Sequence, residues 1–350
     1  MAADESDHCG YQLGIGRVDE KFAAEPCERP VWEDREWCIW HAPEEGKSRG
    51  EFEEFDPGAE ENFDGAYLRE AELLTVDWFA GASMVGADLN GADLRGVDFS
   101  GTNLTMSRLA DVSALGADFS MANLEGAILT NADLRRAKLD HARLHETVLT
   151  DVHVGGGTTM GGVAFYDEEN APPDLVEEEP LEAAAWVYRQ LQKLYQDNGL
   201  AQLARRSYYM EKDARRRLAW QQSDYVSALR RELSRWVMRY GESPARIIAT
   251  SLLVMGLFGL LFPFTGGIQE LEGGQPLTYS IENPAEAPSW WIGRVLLKSF
   301  YFSIITFTTL GYGDIQPLGP WARFLAGTEA LLGALLSALL VFVLARIVTW

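Results

Sequence analysis

Seven residues near the C-terminus, Thr308 to Asp314, have the composition of an ion site built from backbone carbonyls. They read TTLGYGD and lie in a short loop between two apolar segments. Glycine adopts positive φ at little cost, so Gly311 and Gly313 allow successive carbonyls to turn toward one axis, which other residues resist. Carbonyls arranged around an axis replace the water shell of an ion. The residue types and their spacing therefore predict coordination of a cation by the backbone.

The same loop closely resembles the selectivity filter of potassium channels, for which Thr-Val-Gly-Tyr-Gly is the usual form. The resemblance assigns the filter to Thr308, Thr309, Leu310, Gly311, Tyr312, Gly313 and Asp314. It implies K⁺ as the transported ion, with the Thr309 hydroxyl at the inner end. Leu310 replaces the commoner Val, but its carbonyl is the same chemical group. Because one chain supplies one quarter of such a filter, the resemblance also implies a homotetramer.

Two apolar segments around the loop are long enough to cross a lipid bilayer. Ile247 to Phe264 carries no charge, and Leu325 to Ala345 carries only Glu329. Twenty helical residues cover about 30 Å, the thickness of the hydrocarbon core. The apolar stretch before the loop is too short to cross and reads as a re-entrant helix. The expected pore domain, 243–350, divides into a first span over 245–265, a pore helix over 292–308, the filter over 309–313 and a second span over 321–346.

Three further residues are expected to support the filter or to gate it. Tyr301 and Phe302 resemble the aromatic pair with which pore helices pack around a filter. Gly333 lies in the second span, which lines the pore in this family. It is either a gating hinge, since glycine weakens a helix locally, or a small residue that permits close helix packing.

Glu329 is an ionisable residue inside a predicted span, which makes it a functional candidate. We expect it to form a buried hydrogen bond behind the filter, with Ser303 or Thr306. Direct contact with the ion is the weaker interpretation, because Glu329 falls near the outer half of the helix.

Basic residues predict the orientation in the membrane. Five arginines precede the first span (Arg230, Arg231, Arg235, Arg239 and Arg246), and Arg346 follows the second. Since basic residues concentrate on the cytoplasmic side, both termini are expected in the cytoplasm of a cell-membrane protein with two spans. The loop over 267–293 would then face outside. Its acidic residues either raise the local cation concentration or only solubilise the loop.

A five-residue repeat runs from about Glu61 to Val154, clearest in GADLN, GADLR and NADLR. A small residue recurs at one position and Leu or Phe two residues later, whereas neither a helix nor a strand has a period of five. A square coil with one repeat per side turns both positions inward, and stacked coils bury a continuous column. The pattern resembles the pentapeptide-repeat family, a right-handed quadrilateral β-helix. The register slips by one residue before Met84, where the earlier phase includes Trp78.

Cys9, Cys27, Cys38 and His41 precede the repeats, and Cys38-x-x-His41 has the close spacing of metal ligands. Three thiolates and one imidazole suit tetrahedral Zn²⁺. Residues 1–50 are rich in Trp and poor in aliphatic residues, and such a segment rarely folds without a disulfide or a bound metal that cross-links it. We expect a structural zinc cap that closes one end of the β-helix. The alternative is that the reduced cysteines pack as small apolar side chains.

The composition is strongly acidic. The formal net charge is −22, and only six of the 30 basic residues are Lys. This excess of acidic residues with few Lys resembles the composition of proteins from salt-loving archaea, in which high internal salt screens the repulsion between like charges. A disordered acidic chain is disfavoured because 47% of the residues are hydrophobic and 11 are Trp. No nucleophile–base set, P-loop or dinucleotide motif occurs, so we expect neither an enzyme nor a nucleic-acid partner.

The predicted fold is therefore multidomain. Its expected parts are the Cys/His cap 1–50, the β-helix 61–155, an acidic Pro/Gly linker 156–180, a cytoplasmic helical connector 181–242 and the tetrameric two-span pore domain 243–350. Within the connector, one helix is expected to end at Asp197 and a second to run from Leu200 to about Arg239.

These parts predict a potassium-selective channel in a lipid bilayer, with a pentapeptide-repeat module that regulates it. The partner or ligand that opens such a channel is not named by the residues. The alternative is a membrane-anchored interaction scaffold whose pore is non-conducting or weakly selective.

Overall fold

The computed structural model describes residues 8–13, 26–53, 62–163, 180–272, 275–281 and 288–349. The chain divides into two compact units, Met1–Asp224 and Tyr225–Trp350, and each unit is described by itself. Most of the predicted linker, together with Glu61 at the start of the predicted repeats, lies outside the described residues.

The repeats of the first unit wind into a coil of stacked parallel bridges. Asp88 pairs with Arg108, Arg108 with Ile128 and Ile128 with Val148, so one coil takes 20 residues. Four five-residue repeats therefore make one coil, as the five-residue period predicts. The exact type of β-helix, right-handed and quadrilateral, stays a prediction.

The interior of the coil is a column of small, aliphatic and aromatic side chains. Phe79, Phe99 and Phe119 stack with ring centroids 5.3 and 5.1 Å apart and ring planes within 9°. Polar residues at the small position remain satisfied, because Ser107 and Thr147 donate to backbone carbonyls at 2.7 Å. The core is thus completed by residues of the same chain.

The repeat register slips by one residue where the sequence predicts it, but the residue that points into the coil there is not the predicted Trp78. Asn62 pairs with Ser83 at a spacing of 21 residues, whereas Ser83 pairs with Asn103 at 20. Phe79 is fully buried and Trp78 only half-buried, so Trp78 is not the inward residue. The extra residue lets the chain turn the Phe79 ring onto Phe99. At the other end the ladder continues past residue 155, since His141 donates its N–H to the carbonyl of Gly161.

The segment before the repeats packs on the first coil. The Tyr67 N–H donates to the carbonyl of Trp40 at 2.7 Å, and the Trp40 ring stacks on Phe52 of helix α1, Arg49–Glu53. Lys47 is buried and its Nζ donates to the carbonyls of Ala42 and Tyr67, both at 2.7 Å. Burial lowers the pKa of Lys47 to about 8, although nearby carboxylates oppose the shift.

Two helices, α2 (Pro180–Asp197) and α3 (Ala201–Gln221), form a hairpin in the first unit. Asn198, in the turn between them, accepts from the N–H of Val154 at 3.0 Å and donates to the carbonyl of Val152 at 2.8 Å. The prediction of one helix from Leu200 to Arg239 is wrong. Ser223 has a φ of +57° and breaks it, because short polar residues compete with the helical backbone for hydrogen bonds.

The second unit begins with α4, Tyr225–Met238, so the predicted connector 181–242 is divided between the units. Helix α5, Pro244–Leu261, begins with proline at its first position, where no N–H is needed, and a 3₁₀ turn, Phe262–Phe264, continues it. Helices α6, Ser289–Phe307, and α7, Gly319–Thr349, follow. Helices α5, α6 and α7 lie where the first span, the pore helix and the second span are predicted, with ends shifted by a few residues.

Three short strands lie at the ends of the helices. Strand β1, Ile268–Glu272, pairs antiparallel with β2, Gln275–Tyr279, and with β3, Ile315–Pro317, giving the order β2-β1-β3. The core of the second unit joins this sheet to α5 and α6 through residues including Phe262, Ile268 and Phe302. The sheet thereby anchors both ends of the loop between α6 and α7.

Candidate functional site

The loop between α6 and α7 alternates its backbone conformation. Thr309, Gly311 and Gly313 have φ of +56°, +45° and +79°. Alternate left-handed residues turn successive carbonyls the same way, which the sequence predicts for the glycines. Thr309 was not anticipated, because β-branched residues rarely adopt positive φ and pay about 1–3 kcal/mol for it.

The loop is held at both ends. Its first turn remains bonded to α6, since the Leu310 N–H donates to the carbonyl of Ile305 at 3.0 Å. At its far end the Tyr301 hydroxyl donates to Asp314 Oδ2 at 3.0 Å. Tyr301 therefore supports the loop directly. The Phe302 ring packs edge-on against Phe262, with ring centroids 4.9 Å apart.

The loop itself is uncovered within one chain. Leu310 is 59% exposed and Tyr312 is 69% exposed, although both are large and largely apolar. Irregular backbone at membrane depth is tolerated only where protein buries it or where it lines water. Within one chain, the loop is therefore an exposed surface.

Glu329 of α7 is fully buried behind the loop and hydrogen-bonds to Ser303 of α6. Ser303 also donates to the carbonyl of Met255 on α5 at 2.8 Å. A hydroxyl has one proton, so both contacts are hydrogen bonds only when the Glu329 carboxyl is itself protonated. The sequence predicted the partner of Glu329 as Ser303 or Thr306, and Ser303 is the residue that joins three helices.

Gly333 lies against the C-terminal end of α6. A Cβ at this position would lie 2.1 Å from the carbonyl oxygen of Phe307, and α7 continues unbroken from Gly319 to Thr349. Close approach of two helices therefore accounts for glycine here. The gating hinge stays a prediction.

One predicted outer acid is already paired. Lys298 Nζ lies 2.7 Å from Glu270 Oε1, and the Tyr279 hydroxyl donates to Glu270 Oε2 at 2.9 Å. The hydrogen bond from Lys298 lowers the pKa of Glu270. Glu270 thus stabilises the sheet, while Glu282 and Glu286 lie outside the described residues.

The four Cys and His residues converge in the first unit. The three Sγ atoms and a His41 ring nitrogen lie within 4.8 Å of one another. His41 Nδ1 lies 3.5 Å from Cys9 Sγ and 3.3 Å from Cys38 Sγ, and Cys27 Sγ lies 3.9 Å from Cys38 Sγ. All three cysteines are free thiols. The other ring nitrogen, Nε2, lies 3.1 Å from the carbonyl of Asp64 in the first coil.

These separations are those of ligands around one small ion. At a Zn–S distance of about 2.3 Å, tetrahedral geometry places two sulfur ligands near 3.8 Å apart. A metal-bound histidine usually donates its other N–H to a carbonyl or carboxylate, which orients the ring. The Asp64 carbonyl is placed to accept that bond.

Two segments of the chain match known family models. The family model described as "Ion channel" matches residues 277–349, and "Pentapeptide repeats" matches eight copies over residues 79–111 and 116–153. The potassium voltage-gated channel protein shk-1 of Caenorhabditis elegans is 33% identical over 88 residues, which cover 25% of this chain and 14% of that protein. The chain thus matches only a small part of that relative.

Solved pentapeptide repeat proteins are also similar. Rfr23 of the cyanobacterium Cyanothece 51142 is 25% identical, with 33% of this chain and 86% of that chain covered and a TM-score of 0.23. A pentapeptide repeat protein of the Arabidopsis thaliana thylakoid lumen is 27% identical, with 27% and 70% covered and the same TM-score. The coil itself is established by its ladder of bridges, and two helices are long and apolar enough to span a membrane, Pro244–Phe264 and Gly319–Ile347. The chain joins pentapeptide repeats to an ion channel domain of a two-span membrane protein.

Proposed function

We propose that the chain is one subunit of a potassium-selective channel, with the loop from Thr309 to Gly313 as its selectivity filter. The alternation of left-handed φ at Thr309, Gly311 and Gly313 carries the proposal. Such alternation turns consecutive carbonyls toward one axis, where they replace the water shell of an ion. The matched ion channel domain and the potassium channel relative support K⁺ as that ion.

The proposed assembly is a homotetramer with its axis along the loop. The exposure of Leu310 and Tyr312 in one chain supports it, because neighbouring subunits would bury these residues. Four copies of the loop would supply the ring of carbonyls that one copy cannot close.

The proposed orientation places both termini in the cytoplasm. Arg246, near the start of α5, and Arg346, near the end of α7, support it through the basic bias of cytoplasmic flanks. Arg346 pairs with Glu242 at 3.3 Å and donates to the carbonyl of Tyr240 at 3.1 Å. The pentapeptide-repeat unit would then lie in the cytoplasm, where we propose that it regulates opening.

Potassium flux into liposomes tests the channel function. The full chain, reconstituted as intact oligomers at high salt, is expected to pass K⁺, and Gly311→Ala is expected to abolish flux while assembly is retained, because L residues resist the required φ. Gly293→Ala in α6 is the matched control, since a Cβ there meets nothing within 4 Å. Intact wild-type tetramers without K⁺ flux would contradict the proposal and favour a membrane-anchored scaffold.

We also propose that Cys9, Cys27, Cys38 and His41 bind a structural Zn²⁺. The donor set and the Nε2 contact with Asp64 support it. The ion would join the segment before the repeats to the first coil, supplying cross-links that this short segment cannot form by apolar packing.

Metal analysis of the purified chain tests the zinc site independently of flux. We expect about one zinc ion per chain in the wild type. Cys38→Ser is expected to lose the metal, because only three of the four protein ligands remain and the site binds zinc less tightly. His8→Ala, which removes the nearby histidine outside the cluster, should retain the metal. Wild-type protein prepared without chelator and found to hold far less than one zinc ion per chain would refute the site.

A further inference from the structure

Helix α4, Tyr225–Met238, presents a row of apolar residues to the outside. Four large apolar side chains are between 64% and 81% exposed: Val226, Leu229, Leu233 and Trp236. Their spacing of three and four residues places all four on one side of the helix, and we call this row the α4 stripe. Ala228 is the buried residue of α4, and it lies on the opposite side. The amphipathic helix therefore turns its apolar side away from its own chain.

The helix is held beside the start of α5. Met238 packs against the apolar cluster that contains Ile247 of α5, and the Arg246 guanidinium donates to the carbonyl of Arg235 at 2.9 Å. Only the residues 239–243 separate the two helices. With its 3₁₀ extension, α5 is long and apolar enough to cross a membrane. Helix α4 is thus fixed at the level where this span enters the bilayer.

The charge of α4 is opposite in sign to that of the whole chain. Residues 225–239 contain four Arg and one Glu, whereas the formal net charge of the chain is −22. Arg230, next to the stripe, and Arg239, directly after the helix, are both exposed. The Trp236 indole N–H donates to Glu232 Oε1 at 3.0 Å, which leaves the apolar ring at the surface. Trp and Arg at the end of a span are typical of the interface between a membrane and water.

We propose that α4 lies on the membrane surface, with the α4 stripe against the acyl chains and Arg230 and Arg239 against anionic lipid headgroups. An amphipathic helix of this kind buries its apolar face by about 5–10 Å at the boundary between headgroups and acyl chains. Each Arg near an anionic surface strengthens binding about fivefold, or about 1 kcal/mol. Pairing with α4 of a second copy is disfavoured, because 14 residues make about two heptads and a coiled coil needs about three or four.

Cross-linking from photoreactive lipids to the full chain tests the proposal without measuring ion conduction. The chain is reconstituted in lipid nanodiscs that contain either phosphatidylglycerol or phosphatidylcholine with a photoreactive group in the upper acyl chain. Mass spectrometry is expected to find lipid adducts on the α4 stripe. At low salt, the anionic lipid should give about fivefold more adducts on α4 than the zwitterionic lipid. Adducts on α5 and α7 serve as the internal reference.

Matched variants separate the apolar contact from the charged one. Leu233→Glu places a charge in the stripe and is expected to reduce the adducts on α4 about tenfold, with those on α5 and α7 unchanged. Arg230→Gln is expected to reduce the preference for the anionic lipid about fivefold. Arg108→Gln, which removes an exposed charge from the coil of repeats, is the control and should leave that preference unchanged.

Two results would overturn the proposal. The first is an absence of lipid adducts on α4 in discs where α5 and α7 are labelled. In that case a disulfide between copies in Leu233→Cys would assign the α4 stripe to another copy of the chain. The second is an equal loss of preference for the anionic lipid in Arg230→Gln and Arg108→Gln, which would refute the contact with headgroups.

Discussion

The coil of repeats and the loop between α6 and α7 both consist of backbone outside regular helices and long strands, but they differ in how that backbone is covered. In the coil each repeat donates to the repeat 20 residues away, and inward residues such as Phe99 are fully buried within one chain. In the second unit the loop and much of α7 stay uncovered, with Tyr312 at 69% and Val341 at 67% exposure. The first region is completed by its own sequence, whereas under the proposed assembly lipid and other copies of the chain would complete the second.

The comparison predicts that the largest single effect on stability comes from the column of the coil. Phe99→Ala removes the middle ring between Phe79 and Phe119 and is expected to cost about 3–5 kcal/mol. Hydrogen exchange of the full chain should show faster exchange throughout the repeats, with α5 to α7 unchanged. Met121→Ala, at a position 70% exposed, is the control and should have little effect. Equal losses in both variants would contradict the buried column.

Gly333 provides the corresponding test in the second unit. Gly333→Ala forces a Cβ against the Phe307 carbonyl and is expected to cost about 1–3 kcal/mol, because overpacking displaces one helix from the other. Thermal unfolding of the detergent-solubilised oligomer measures it. Gly327→Ala lies on the same helix, where a Cβ meets nothing within 4 Å, and is expected to be neutral or slightly stabilising. A stable Gly333→Ala oligomer with altered opening would instead favour the hinge.

Glu329 tests the helix junction behind the loop. Glu329→Ala leaves Ser303 without its α7 partner and is expected to cost about 1–3 kcal/mol of oligomer stability. Glu329→Gln keeps a donor and an acceptor at this position and should retain most of the stability. If both variants lose equally, the contact depends on a negative charge rather than on a hydrogen bond from a protonated carboxyl.

The smallest expected effect is the pH dependence of the outer sheet. The pKa of Glu270 is lowered in the folded state by Lys298, so the pair stabilises at pH values above the ordinary Glu pKa and the contribution is lost as pH falls below it. A half-exposed pair contributes about 0.5–1 kcal/mol. Lys298→Met should flatten the difference in thermal stability of the oligomer between pH 7 and pH 4. An unchanged difference in that variant would assign the pH dependence to other groups.

The sequence predicts most of the architecture because both halves rest on local signals. A period of five fixes which residue of each repeat points inward, and TTLGYGD identifies the loop by composition alone. Apolar length then predicts the spans that become α5 and α7. These signals need no knowledge of which elements meet in space.

The remaining features depend on how elements pack, which periodicity does not report. The choice of Phe79 over Trp78 follows from stacking on Phe99, and the choice of Ser303 over Thr306 follows from the rotation of α6 against α7. The break at Ser223 ends a helix whose residues have ordinary helical patterning. A β-branched residue such as Thr309 rarely adopts positive φ, so its residue type does not predict this conformation. Both ends of its loop are anchored, and this holds Thr309 in it.

Ion competition tests the central claim most directly. The reconstituted wild-type chain, placed in a planar bilayer between equal concentrations of KCl and NaCl, is expected to give a reversal potential set by K⁺, because a ring of carbonyls from Thr309 to Gly313 coordinates K⁺ in place of its water shell. A reversal potential near zero in the same experiment, with the oligomer intact, would show that K⁺ and Na⁺ pass equally and would contradict the assignment of this loop as a potassium filter.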